Sequence, residues 1–273
     1  VKLSIFPDER SLARTLARRV AARLKAQPDL VLGLPTGRTP LPLYEELAAL
    51  HAAGVTDYRR ATSFNLDEFA GLPPDHPGSY RAYMGRHLFR HINLPRHRAH
   101  FLDGQATNPA AECASFEDAI LRAGGIDLQI LGIGANGHIG FNEPAPRLSP
   151  WSHRVRLTAA SRRANAGFFD GDIRRVPREA LSMGVATILK ARAIVLIATG
   201  AGKAGVVARM IEGPITTALP ASLLQLHQDV DVLLDERAAS RLRKSGVVGP
   251  SSRRGSVHEG RRRRTSGEPA GRD

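Results

Sequence analysis

With 273 residues, 42% of them apolar and 5% aromatic, the chain is long enough for a full α/β core and poor in the aromatics of a β-sandwich. A single cysteine, Cys113, excludes an intrachain disulfide and a cysteine-based zinc site, and no stretch approaches the ~20 apolar residues of a membrane span. The formal net charge is +13, but residues 241–273 hold ten Lys/Arg against three Asp/Glu, so much of the excess reads as a solvated basic tail rather than a specific nucleic-acid surface.

Lys2 to Phe6 reads as an edge strand and Ser11 to Lys25 as an amphipathic helix with an arginine-rich outer face. Leu30 to Leu34 is a second apolar strand, broken by Pro35-Thr36-Gly37-Arg38-Thr39-Pro40 before helical periodicity resumes from Leu43 to Ala53. Thr62 to Leu66 is the next strand and ends at Asp67-Glu68; Gly71 to Gly78 is a loop by its turn residues, and Ser79 to His91 reads as a helix. Another helix runs from Asn108 to Ala123, with Pro109 suited to its first turn. Asp127 to Leu131 is the central strand, and Arg154 to Thr158 alternates like a strand. Pro177 to Leu189 reads as helical, Ile194 to Ala198 as a buried strand, Gly202 to Glu212 as a helix and Val230 to Leu234 as the last strand.

Short apolar strands alternating with helical segments predict an α/β fold: a three-layer, largely parallel, Rossmann-like sheet with helices on both faces. Residues 1–240 are expected to form one domain and 241–273 a basic, disordered tail, Gly/Ser/Arg/Pro-rich from about Ser245. No opening segment resembles a signal peptide, so a reducing cytoplasm is the expected compartment.

Three stretches carry candidate chemistry. Gly132-Ile133-Gly134-Ala135-Asn136-Gly137 follows the central strand and matches a dinucleotide-binding pattern. That reading fails: His138 follows at once, prolines 144 and 146 interrupt, and Arg154-Val155-Arg156-Leu157 lacks the acid that would hold a ribose. What remains is a glycine-rich turn delivering His138 and Glu143 beyond the carboxyl end of a strand, where open α/β sheets bind ligands. Pro35 to Pro40 reads equally as an anion site, from amides at a helix start with Thr36, Thr39 and Arg38, or as a capped strand-to-helix turn. Asp67 and Glu68 could supply a general base if burial raised a pKa, although exposed loop acids are commoner. Lys203, at a helix start where a cation suits the dipole poorly, hints at a bound anion.

Taken together, these segments resemble the glucosamine-6-phosphate deaminase family over roughly Leu3 to Glu236. The similarity rests on Leu32 to Gly37, on Phe64-Asn65-Leu66-Asp67-Glu68-Phe69 continuing to Ser79-Tyr80, and above all on Gly137-His138-Ile139-Gly140-Phe141-Asn142-Glu143-Pro144. Further matches are Ala164-Asn165 with Phe168-Phe169-Asp170, Val176-Pro177, Ala180 to Val185 and Leu224 to His227.

The resemblance implies conversion of glucosamine 6-phosphate and water to fructose 6-phosphate and ammonia, with no cofactor and no metal. It implies His138 for ring opening, Glu143 and Asn136 to tune that imidazole, and Asp67 for proton transfer from C2 to C1. Thr36, Gly37, Thr39 and Lys203 would hold the phosphate. Gly167 stands where such proteins usually place a phosphate-binding arginine, and Arg38 where they usually have glycine; Arg38 is expected to supply the missing guanidinium. The expected partner is a hexosamine 6-phosphate, with no membrane and no specific nucleic acid, and a homo-oligomer is compatible. A 6-phosphogluconolactonase-like enzyme or other sugar-phosphate isomerase, and a non-enzymatic sugar-phosphate sensor, are the competing readings.

Overall fold

Asp8 opens the first helix by accepting the Ser11 amide at 2.7 Å, satisfying one of the donors a helix start leaves unpaired. That helix, α1 (Glu9–Ala26), buries Leu12, Leu16, Val20 and Leu24 on one stripe and leaves Arg14, Arg18 and Arg19 in solvent. A computed structural model describes residues 1–243; the part of the basic tail from residue 244 onward lies outside the described residues.

Among the described residues ten strands form two sheets. Seven are parallel, in the order β1 (Lys2–Phe6), β10 (Val230–Asp235), β9 (Ala193–Ala198), β6 (Leu128–Leu131), β2 (Val31–Leu34), β3 (Thr62–Asn65) and β5 (Ala99–His100). Every residue of β2, β3, β6 and β9 is buried, as a sheet covered on both faces requires. One face packs α1 and α2 (Leu41–Ala52). The other packs α4 (Pro109–Arg122) and α7 (Ala204–Glu212), with α8 (Glu236–Ala239) at its edge.

From β2 the chain proceeds outward through β3 to β5, then returns to β6 on the other side of β2 and proceeds the opposite way to β9 and β10. The reversal lies between β2 and β6. Their carboxyl-end loops, Pro35–Pro40 and Gly132–Asn142, therefore flank the crevice that such a switch opens.

The second sheet is antiparallel, β4 (Asp67–Phe69) with β8 (Glu179–Ser182) and β8 with β7 (His153–Arg156). It corrects the reading of Pro177 to Leu189 as one helix. Residues 179–182 pair on both sides as a strand, and only α6 (Val185–Leu189) is helical. Cross-strand partners far away in sequence override the local periodicity there. The segment from Ser79 to His91 also departs from one helix: α3 (Tyr80–Met84) gives way to a wider π turn at Gly85–Phe89. β5, α5 (Ala159–Asn165) and α8 are too short to leave a periodic signal. Among the described residues no helix is long and apolar enough to cross a membrane.

Candidate active site

The loop after β2 is held from behind by two tyrosines. The Tyr44 hydroxyl donates to the Pro35 carbonyl, and the Tyr83 hydroxyl donates to the Gly37 carbonyl at 2.5 Å. Gly37 has φ 112°, a region open to glycine, and the amides of Thr36, Gly37, Arg38 and Thr39 bond to no other described residue. With α2 starting directly after, the loop presents amides and the positive end of a helix, the makings of an anion site.

The loop after β6 does not continue into a helix, which accounts for the failure of the dinucleotide reading. It folds on itself: the Gly137 amide donates to the Gly134 carbonyl and the Gly134 amide to the His138 carbonyl, both at 2.9 Å. Gly137 has φ 91°, and a β-carbon there would sit 2.1 Å from Leu219 Cδ1. Gly137→Ala is therefore expected to cost about 2–4 kcal/mol, from backbone strain plus overpacking, measured by urea unfolding.

His138 Nδ1 lies 3.6 Å from Glu143 Oε2, an ion-pair distance beyond a hydrogen bond. Asn136 bridges them: its Nδ2 donates to Glu143 Oε2 at 2.7 Å and its Oδ1 accepts from the His138 amide at 3.2 Å. Thr158, the cap of α5, donates to Glu143 Oε1 at 3.2 Å. Burial alone would push the Glu143 carboxyl up, but the His138 imidazole and the Asn136 amide hold it down at about 2. An ionised carboxylate beside an imidazole orients the ring and stabilises its protonated form. Asn142 ties this loop to the second sheet, donating to the carbonyls of Ile139 and Met183 at 2.9 and 2.8 Å, while Ser182 Oγ accepts the Phe141 amide at 3.0 Å.

Asp67 lies where the chain leaves the parallel sheet for the antiparallel one. It is 7% exposed, and burial together with the neighbouring Glu68 carboxyl pushes its pKa up to about 8. Its Oδ2 stands 3.8 Å from the point that a β-carbon on Gly140 would occupy, so the loop bearing His138 runs against this carboxyl. Lys203, before α7, donates from Nζ to the Ile133 carbonyl at 2.7 Å, and burial lowers its pKa. Arg38 reaches across the crevice: its Nη2 is 3.2 Å from the β-carbon position of Gly167.

Tyr80 and Tyr83, one helical turn apart on α3, were absent from the sequence-derived site. The Tyr80 hydroxyl donates to Asn165 Oδ1 at 2.9 Å. Two tyrosines at i, i+3 just after an acidic strand end were the available signal. A cavity of about 840 Å³ between α4 and β7 is lined by none of the site residues named above. Among the described residues no group of three or more His, Cys, Asp or Glu side chains is arranged to hold a metal ion.

The model of the family of glucosamine-6-phosphate isomerases and 6-phosphogluconolactonase matches residues 7–233. The chain belongs to this family. Among its relatives, the glucosamine-6-phosphate deaminase of Halothermothrix orenii is 47% identical over 242 residues, covering 89% of this chain and all of that one. A solved structure described as a monomeric glucosamine-6-phosphate deaminase superposes with a TM-score of 0.86 at 42% identity, covering 88% of this chain and 100% of that chain. A 6-phosphogluconolactonase from Trypanosoma cruzi shares the fold alone, with a TM-score of 0.71 at 20% identity over 88% of this chain and 96% of that one. The three-layer α/β arrangement described above is thus shared with these solved structures.

Proposed function

We propose that the chain, through a domain spanning residues 1–240, is a glucosamine-6-phosphate deaminase acting in the cytoplasm. The observation that carries the reading is the buried Asp67 carboxyl packed against Gly140, in the loop that presents the His138–Glu143 pair. Ring opening and carbon-to-carbon proton transfer need two separate proton carriers at neighbouring atoms, and this arrangement provides both.

The phosphate is held by the amides and hydroxyls of Thr36, Gly37 and Thr39, by Arg38 and by Lys203, which fixes the sugar carbons against Asp67. His138 moves the proton that opens the pyranose, delivering it to the ring oxygen as the C1 hydroxyl becomes an aldehyde. Glu143 stabilises the imidazolium. The Asp67 carboxylate then removes the C2 proton while the aldehyde oxygen takes one from the substrate's ammonium, giving an enolamine, and Asp67 returns its proton to C1. The resulting C2 ketimine takes up water and releases ammonia, leaving the ketose phosphate. Nearby positive charge on the substrate's amine favours the ionised form of Asp67 once the sugar is bound.

A lactonase needs no base for a C–H bond, and a sensor needs neither proton carrier, so Asp67 and His138 together favour the deaminase. Ammonia release from glucosamine 6-phosphate, with galactosamine 6-phosphate and 6-phosphogluconolactone in parallel, tests the reading. Turnover of the first with ammonia formed is the expected result; hydrolysis of the lactone without ammonia release from either amino sugar would replace it with the lactonase reading.

A further inference from the structure

Beside Asp67 stands a second buried carboxyl to which the reaction above gives no task. Glu68 is 3% exposed. Its Oε1 accepts the Phe69 and Tyr80 amides at 2.8 and 2.9 Å, and its Oε2 accepts the Arg81 amide at 2.9 Å. Tyr80 and Arg81 open α3, whose start is already capped by Ser79 through the Ala82 amide at 3.0 Å. A helix is usually capped from its own first turn. Here a further cap reaches in from a strand more than ten residues away, so it acts as a tether between two elements.

The tether continues. The Tyr83 hydroxyl on the same helix holds the Gly37 carbonyl of the loop after β2, and Tyr80 holds Asn165 beside the Gly167 turn. Gly104 closes over the Glu68 stem, since a β-carbon there would lie 3.4 Å from Glu68 Cγ. We propose that Glu68 is a positioning residue, tying the strand that bears Asp67 to the loop that holds the substrate phosphate; this rests on the deaminase reading. Through α3, Glu68 sets the span between the proton-moving carboxyl and the anion anchor.

The groups facing Asp67 define what its removal does. Glu68 comes from its own strand, Tyr44 from α2 and Tyr80 from α3, with the His138–Glu143 pair on the loop beyond Gly140. Glu68 is the neighbouring acid that raises Asp67, so taking away its charge lowers the pH at which Asp67 ionises.

Glu68→Gln keeps the size of the side chain and puts a donor against the Arg81 amide, while Glu68→Ala removes the tether entirely. Kinetics of ammonia release, the inhibition constant of inorganic phosphate and thermal melts are measured for the wild type and both variants. The expected pattern is a fall in kcat of about 10–100-fold, because misplacement on the order of 1 Å carries that cost. The phosphate inhibition constant should stay within about threefold, since the loop's own amides remain, and the acidic limb of kcat/KM should move to lower pH. Should the alanine variant fail to fold, the glutamine variant decides. Unchanged kcat with an unmoved acidic limb overturns the proposal, as does a phosphate constant that rises in step with KM while kcat holds. A wild-type chain inert toward glucosamine 6-phosphate overturns both the deaminase reading and this one; an active wild type with indifferent variants overturns this one alone.

Discussion

Asp67→Asn is expected to lower ammonia release about 1000-fold, with KM nearly unchanged, and at the same time to raise the melting temperature. The first effect follows if Asp67 is the proposed base for the carbon-bound proton, a group worth about 100–10,000-fold. The second follows from where the carboxyl sits. Its folded pKa is pushed up to about 8 from an ordinary 3.8, by burial and by Glu68.

Below the ordinary value both folded and unfolded chains hold the proton, and Asp67 costs the fold nothing through ionisation. Between that value and about 8 the unfolded chain releases a proton that the folded chain keeps, so stability declines as pH rises. Above about 8 both release it, and the loss is constant. A shift of that size caps the loss at about 6 kcal/mol. Asparagine escapes it but buries an amide with few partners, returning about 1–3 kcal/mol. A net gain of about 2 kcal/mol at neutral pH corresponds to about 4–8 °C in Tm for a domain of this size. Melts of parent and variant at pH 4 and pH 8 check the sign: the difference should be smaller at the lower pH. In the parent, kcat/KM should fall as pH drops below about 8, since it reports the free enzyme. A variant that is inactive but no more stable at pH 8 would show that Asp67 carries no stored cost.

Arg38→Ala is expected to raise KM for the sugar phosphate about 10–100-fold, the loss of one charge-assisted pair with a dianion. The geometry supplies a sharper test. Arg38 Nη2 lies 3.2 Å from where a side chain on Gly167 would begin, so one guanidinium can serve from either wall of the crevice. Gly167→Arg alone should bind worse, because two guanidinium groups compete for one space. The double variant Arg38→Ala/Gly167→Arg should return KM to within about tenfold of the parent, a coupling that independent sites would not show. An Arg38→Ala enzyme with the parent's KM would remove Arg38 from the phosphate site.

Most of the large sheet was legible residue by residue. The apolar runs at 30–34, 128–131 and 194–198 had no polar face to offer, and only a strand buried on both sides accommodates that. Pro35 to Pro40 and Gly132 to Gly137 announced the breaks at which ligands gather. The reading of 177–189 as helix failed where Glu179–Ser182 finds β4 and β7 as partners, a pairing that no window of neighbours contains. Tyr80 and Tyr83 were passed over for a related reason: a tyrosine on a short helix reads as core until its hydroxyl is seen on a distant carbonyl or amide.

Sequence alone determined the alternation of strands and helices, the two switch-point loops and the presence of an imidazole and carboxylates on them, because periodicity and turn chemistry act between near neighbours. Only the tertiary structure decided that Asp67 is buried with its pKa pushed up, that Glu68 caps a helix from another element, and that Arg38 fills the space beside Gly167. Those are properties of low-dielectric surroundings and of contacts between segments remote along the chain, and they exist once the core has excluded water.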